Sequence, residues 1–174
     1  VDKLTYASNL ENLYEVDNTD RYSFEQVDIC SHGELKRVFA QYQPDTIMHL
    51  AAESHVDKSI LNARLFLESN TIGTFNLLDA SRNYWKILPI EKKHNFMFLQ
   101  ISTDEVFGPA PDGIKYKEND RYNSTNPYSA TKAGGEELAV AYENTYGLPI
   151  YVTHTMNVFG ERQHPEKFIP MCIR

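Results

Sequence analysis

Two periodicities alternate along the chain. Tyr22–Ile29 alternates apolar and polar residues and predicts a strand. From Ser31 to about Tyr42 the period becomes helical. Ser31 is the expected N-cap, Glu34 completes a capping box, and Pro44 stops the helix. Thr46–Leu50 is a short, mostly apolar run, the pattern of a strand buried on both faces. From Val56 to about Trp85, Ile60, Ala63, Leu67, Phe75 and Leu78 repeat with a helical period. Phe96–Ile101 predicts another buried strand. Residues 108–127 hold Pro109, Pro111, Gly113 and Pro127 among polar residues and predict a long loop. Tyr128–Tyr146 predicts a helix closed by Gly147, and Leu148–Thr153 a final strand. Gly134 and Gly135 cost that helix roughly 1 kcal/mol each against Ala, so another backbone is expected to pack close there.

Strand, helix, strand, helix, strand, loop, helix, strand is the order of a mostly parallel sheet with helices on both faces. Ligands of such sheets bind beyond the carboxyl ends of the strands. Both termini change this picture. Val1–Leu4 reads as the last step of a strand. Phe168–Arg174 reads as a helix cut in mid-course. The 174 residues are therefore expected to be a piece of a longer domain.

Composition adds exclusions. Lys and Arg number 17 against 24 Asp and Glu, a net charge of −7. An acidic chain repels phosphate backbones and anionic lipid, which argues against nucleic acid and membrane partners. No apolar run approaches a membrane span, and Cys30 and Cys172 lie far apart, which suits the cytoplasm. The six His and two Cys show no metal-ligand spacing. Neither a G-x-S-x-G elbow nor a P-loop lysine motif is present.

Candidate chemistry gathers at three predicted strand ends: Ala51-Ala52-Glu53-Ser54-His55, Ser102-Thr103-Asp104-Glu105 and His154-Thr155-Met156-Asn157. Asp104 and Glu105 can divide acid and base work if their environments differ. The same tetrapeptide also reads as a loop start that caps the next turn. Tyr128 and Lys132 stand four apart, on one face of a helix. An ammonium near a phenol favours tyrosinate and makes a base that removes a hydroxyl proton while hydride leaves the same carbon. The bare spacing is also that of an ordinary helix start. Ala51 and Ala52 admit a flat cofactor to the backbone, or tight strand–helix packing. His49 reads as a satisfied core histidine.

Taken in order, several stretches resemble the extended short-chain dehydrogenases, and within them the dTDP-glucose 4,6-dehydratase branch of the epimerase/dehydratase family. They are Asp2–Glu11, Asp28-Ile29, His49–Asp57, Ser102–Gly108, Pro127–Lys132 and His164–Pro170. Tyr-x-x-x-Lys belongs to the whole superfamily; Thr103-Asp104-Glu105 is more specific, because related epimerases usually lack the Asp-Glu pair. The resemblance implies a Rossmann-like doubly wound α/β fold, with the first strand and glycine-rich loop ahead of Val1 and the C-terminal substrate domain beyond Arg174. Residues 1–174 would be an incomplete NAD-binding domain, and 157–174 the start of the substrate-binding region.

The resemblance also implies roles. Asp2 would bind the adenosine ribose of NAD, with Lys3, Leu4 and Thr5 beside it. Asp28 and Ile29 would flank the adenine. Leu50, Ala51, Ala52, Glu53 and Ser54 would run along the cofactor, Ser54 also near the sugar, and Ser69 would touch the cofactor from the long helix. Tyr128 would be the redox base, with Lys132 holding the nicotinamide ribose and lowering the Tyr128 pKa. Thr103 would bind a sugar hydroxyl, with Asp104 as acid and Glu105 as base for loss of water. Asn157, Lys167 and Phe168 would contact the nucleotide-diphosphate sugar. A homodimer through the Val56–Trp85 and Tyr128–Tyr146 helices is expected. Asn157-Val158-Phe159-Gly160 departs from the family's Asn-Asn-Tyr-Gly, and Val158 cannot make the second Asn's hydrogen bond. Three alternatives stay open: a dehydratase acting on UDP-glucose or UDP-N-acetylglucosamine, a 4-epimerase or decarboxylase on the same fold, and a non-catalytic sugar-nucleotide-binding protein.

Overall fold

The computed structural model describes residues 1–17 and 19–173. Three parallel strands form one sheet in the order β1 (Thr46–His49), β2 (Met97–Thr103), β3 (Ile150–Thr155). Ile47, Phe98 and Ile150 lie in one cross-strand row on the core face, and His49, Gln100 and Val152 in the next. The remaining elements are α1 (His32–Tyr42), α2 (Val56–Leu61), α3 (Ala63–Phe66), a π-helical segment (Leu67–Gly73), α4 (Thr74–Ile87), α5 (Ile90–Asn95), α6 (Pro127–Tyr146) and α7 (Phe168–Ile173), with single 3-10 turns at Leu10–Leu13 and Asp104–Phe107.

The core lies between the sheet and a layer in which α1 packs on α4 and α4 on α6. Leu35 and Phe39 of α1, Leu77 and Leu78 of α4, Phe98 of β2 and Ala139 of α6 belong to one buried cluster. Burial of such side chains is worth about 1.5–3 kcal/mol each, so this layer fixes the sheet's orientation. The opposite sheet face carries exposed Met48 and Tyr151. The expected helices therefore cover one face only among the described residues. Among the described residues β1 is accordingly not buried on both faces: it stands at the sheet edge, and its outward Met48 is exposed.

The Tyr22–Ile29 alternation does bury Val27 and Ile29, but no strand forms. Its partner segment supplies a single parallel bridge, Asp2 to Gln26, which is also all the strand character of Val1–Leu4. α1 starts after Ser31 as expected, yet Ser31 makes no side-chain cap, and Glu34 instead pairs with Arg37 at 3.0 Å. A capping box forms instead at the start of α6: Asn126 accepts from the Ser129 amide, and the Ser129 hydroxyl faces the Asn126 amide. α5 is a further short helix, between α4 and β2. The last strand begins at Ile150 rather than Leu148, and the C-terminal helix is described to Ile173, Arg174 lying outside the described residues.

The largest departure is the Val56–Trp85 helix, which is interrupted. Asn62 leaves the helical region (φ −147°, ψ 78°), and the π turn over Leu67–Gly73 adds a residue to the helical repeat. The phase shifts, so Ile60, Leu67 and Phe75 face outward while Phe66, Leu77 and Leu78 enter the interior. Gly135 explains the close packing of α6 here: a Cβ would stand 2.6 Å from the Asn70 carbonyl oxygen.

Candidate active site

Because the strands are parallel, their carboxyl ends open on one edge. A cavity of about 500 Å³ lies there. Leu50, Ala52 and Ser54 reach it from the end of β1, Thr103 and Glu105 from β2, Asn157 from β3, Tyr128 and Lys132 from α6, and Lys167 and Phe168 from the C-terminal segment. A smaller cavity of about 80 Å³ is lined by Asp2, Lys3, Thr5, Ile29, Ala51, Ala52, Glu53 and Ser69. Ala52 borders both. Residues expected around a cofactor are thus drawn from the first turn of chain, the β1 end and the π segment to the walls of two neighbouring cavities. Leu4 and Asp28 line neither cavity but brace the edge of the smaller one. The Leu4 amide donates to Asp2 Oδ1 at 2.7 Å, Leu4 itself standing at φ +59°, and Lys3 pairs with Asp28 at 3.5 Å. Burial pushes the Asp28 carboxyl pKa up, but the Cys30 amide and the Lys3 ammonium outweigh it and hold it below the ordinary value.

Tyr128 and Lys132 are both buried on α6. The Tyr128 amide donates to Ser59 Oγ at 3.1 Å, which ties the helix start to α2. Lys132 Nζ donates to the Ile101 carbonyl at 2.6 Å. Burial pulls the Lys132 pKa down to about 8, against the opposing Glu136 carboxylate. In this structure Lys132 is not among the groups that set the Tyr128 pKa. Burial raises the phenol, Glu105 and Asp104 raise it further, and only the Thr103 hydroxyl opposes them. The ammonium is committed to a backbone carbonyl instead.

Thr103 does double duty. Its oxygen accepts from the Glu105 amide at 3.3 Å and so caps the turn Asp104–Phe107, the bland reading of this tetrapeptide. Its hydroxyl also lies 3.3 Å from Asp104 Oδ1. Glu105 faces the large cavity with Asn126 Nδ2 3.4 Å from Oε2. Asp104 is half-buried beside that cavity and is not among its lining residues. Ser54 Oγ accepts from Lys167 Nζ at 3.1 Å. Asn157 and Phe168 are exposed at the mouth. His49 is the satisfied core histidine expected: it meets Thr74 Oγ1 at 2.8 Å, and burial, then Lys132, takes its pKa down to about 3.

Several participants carried no sequence signal. Asn70 grips Glu53 twice, its Oδ1 accepting from the Glu53 amide at 2.8 Å and its Nδ2 donating to the Glu53 carbonyl at 2.9 Å, which sets the β1 end. Glu166 collects Tyr6 at 2.9 Å and Lys58 at 3.1 Å, and so pins the Lys167 segment to the first loop and α2. Tyr122 and His154 converge on Glu136 behind Lys132. Asn126 was the discoverable one, because Asn-x-x-Ser before a helix is a cap pattern.

The family model for GDP-mannose 4,6 dehydratase matches residues 1–174, the whole chain. The chain belongs to that family. Relatives sharpen the likeness. A dTDP-glucose 4,6-dehydratase of Neisseria meningitidis is 54% identical over 99% of this chain, and one of Salmonella typhimurium is 48% identical over 99%. The chain spans about half the length of these curated relatives, 49% and 50%. Among solved structures, the dTDP-glucose 4,6-dehydratase DesIV of Streptomyces venezuelae, with NAD bound, superposes with a TM-score of 0.87 at 40% identity, covering 98% of this chain and 49% of that one. The UDP-glucose 4-epimerase of Thermus thermophilus, also with NAD, follows at 0.74 and 26%, covering 90% and 53%. The α/β Rossmann-like class is that of these members. No helix of the described residues is long and apolar enough to cross a membrane.

Proposed function

We propose that this chain is part of a nucleotide-sugar 4,6-dehydratase that converts dTDP-glucose to dTDP-4-keto-6-deoxyglucose with tightly bound NAD. The observation that carries the reading is a pair of cavities that share Ala52 in their walls: Tyr128, Lys132, Thr103 and Glu105 face one, and Asp2, Ala51 and Ser69 the other. The donor set fits a dinucleotide. An acidic side chain suits a ribose diol, small side chains admit a flat ring, and a buried lysine suits a second ribose. When bound, NAD supplies a hydride acceptor for C4 and a hydride for C6, so it ends as it began.

The chain's residues move the protons. Tyr128 removes the proton of the sugar 4-hydroxyl. The ketone formed acidifies C5–H, Glu105 takes that proton, and Asp104 protonates the departing 6-hydroxyl, so that water leaves between C5 and C6; Glu105 gives its proton back to C5 as C6 is reduced. Thr103 holds the sugar hydroxyl. Ser54 stands near the sugar, Asn157 binds substrate, and Lys167 and Phe168 take the nucleotide-diphosphate side, with 157–174 as the start of the substrate region. The raised Tyr128 pKa leaves the free site's phenol protonated at neutral pH, so turnover should climb as pH rises above neutrality.

The test is the product mass from dTDP-glucose with the full-length gene product. Loss of one water without consumption of added NAD supports the reading. An unchanged mass directs the trial to UDP-glucose and UDP-N-acetylglucosamine. A second reading, a 4-epimerase, is favoured by Asp104 lying off the cavity lining, and it predicts no change of mass for any of them. Within the dehydratase reading, Asp104→Asn should slow water loss more than C4 oxidation. Rapid-quench detection of the 4-keto intermediate reads this, and equal slowing of both steps would count against it.

A cytoplasmic homodimer completes the proposal. Leu61, Leu65, Ile72 and Phe75 between α2 and α4, and Val140 on α6, are each exposed apolar side chains that a second copy would cover. Light scattering of the full-length protein checks this; a monomer at micromolar concentration would exclude it.

A further inference from the structure

Two residues past Glu105 the chain plugs into a small core of its own. Val106 and Phe107, with Ala133 of α6, are buried apart from the main cluster, and Tyr116 and Tyr122 of the long loop pack against them. Three rings wall Phe107. Tyr116 stacks on it at 5.4 Å between ring centres, Tyr122 meets it edge-on at 5.4 Å, and His154 of β3 lies at 4.8 Å. The loop is also laced to this turn by backbone, the Asn123 amide donating to the Val106 carbonyl at 2.9 Å. Gly108 turns the chain there at φ +74°, where a Cβ would strike the Asn123 carbonyl oxygen.

Two of the three rings are held by one atom. Glu136 on α6 is 2% exposed, and its Oε1 takes both the Tyr122 hydroxyl and, at 2.7 Å, His154 Nε2. A carboxylate only accepts, so the phenol and the imidazole both donate. Burial, then the bond to Glu136, raises the Tyr122 pKa, so the phenol keeps the proton it donates. A buried ion pair is often worth no more than an apolar set of the same volume. What this one supplies is direction: it fixes where two rings stand, and with them the slot for Phe107.

We propose that Tyr122, Glu136 and His154 form a positioning clamp for the Asp104–Glu105 turn: by fixing the slot for Phe107 they aim the two carboxyls at the substrate. This rests on the dehydratase reading for its consequence and not for its geometry. Side chains restrain the turn only lightly elsewhere. Thr103 holds the Glu105 amide at 3.3 Å and Asn126 Nδ2 stands 3.4 Å from Glu105 Oε2, both at the long end of hydrogen bonding. Tyr128 and Lys132 are anchored separately, by the Tyr128 amide to Ser59 and by the ammonium to the Ile101 carbonyl. Loosening the clamp should therefore slow the loss of water, which needs Asp104 and Glu105, and spare the oxidation at C4.

Two measurements on the full-length protein test the clamp. Glu136→Met removes both hydrogen bonds at similar volume. With the sugar nucleotide that the protein dehydrates, rapid quench should show water loss slowed about ten- to a hundredfold and C4 oxidation changed less than about twofold, since a displacement of about 1 Å suffices for such a loss. Reduced nicotinamide should then build up transiently in stopped-flow absorbance. Glu136→Gln, which keeps an accepting oxygen, should recover most of the rate. Equal slowing of both steps would mean that Glu136 acts through α6, and overturns the proposal. The second measurement needs no turnover. Hydrogen exchange read by mass spectrometry should quicken about tenfold over residues 104–108 of Glu136→Met and stay unchanged in α6. Unchanged exchange over 104–108 overturns the proposal. Should Glu136→Met not fold, Tyr122→Phe removes one hydrogen bond and keeps the ring, with the same pattern at about threefold. If neither folds, the cluster serves the fold alone and the proposal fails. Faster exchange over 104–108 in a protein that dehydrates no sugar nucleotide leaves the clamp standing and removes the functional reading. Unchanged exchange in an active dehydratase does the reverse.

Discussion

Lys132 and Lys167 line the same cavity and are held in opposite ways. Lys132 is 7% exposed, fixed by a twenty-residue helix, and spends its ammonium on the Ile101 carbonyl. Lys167 is half-buried on an irregular segment, reaches Ser54 by its tip, and owes its place to the neighbouring Glu166. A cation in a rigid, desolvated setting changes its protonation behaviour and acts on neighbouring protons; a cation on a segment open to water acts as a charge for a ligand to meet. The two halves of the cavity therefore divide into a side suited to chemistry and a side suited to binding.

The strongest way to break that division is at the phenol beside Lys132. Tyr128→Phe should lower product formation about a hundred- to ten-thousand-fold while leaving the melting curve close to wild type. A loss under tenfold would remove Tyr128 as the base. Rigidity comes next. Gly135→Ala drives a Cβ to 2.6 Å from the Asn70 carbonyl and should cost about 1–3 kcal/mol in urea unfolding, with the α6 face of the site loosened as well. No loss would mean that the π segment yields freely. On the binding side, Lys167→Ala should raise KM for the sugar nucleotide about tenfold with kcat little changed. A fall in kcat instead would place Lys167 among the chemical groups. Glu166→Gln should do the same more weakly, about threefold, because its partners Tyr6 and Lys58 are open to solvent.

The smallest effect is a pH slope. The Lys132 pKa of about 8 lies below that of an unfolded lysine. Between these values the unfolded chain binds the extra proton, so stability should rise as pH goes from about 8 toward 10. Lys132→Met should lack that rise in parallel urea titrations; identical slopes would show that Lys132 is not desolvated.

Much of this was legible in the linear chain. Tyr128 and Lys132 are near in sequence and on one helix, so spacing sufficed. Thr103, Glu105 and Ala52 follow strand patterns, and the parallel order sends strand ends to one edge. Asp104 shows the limit, because two adjacent residues at the start of a turn point different ways. Glu136 and His154 lie 18 positions apart, and Tyr6 and Glu166 160 apart; no periodicity links such pairs. The Val56–Trp85 segment misled because a period reports which residues align, and a π turn changes the alignment without altering composition.

By itself the sequence determined the alternation of strands and helices, the Tyr-x-x-x-Lys face and the polar strand ends, since each depends on neighbours within a few residues. Only the tertiary structure decided which cation is buried, which carboxylate reaches the cavity and which sheet face is covered. Desolvation and side-chain reach are set by what packs alongside from distant parts of the chain.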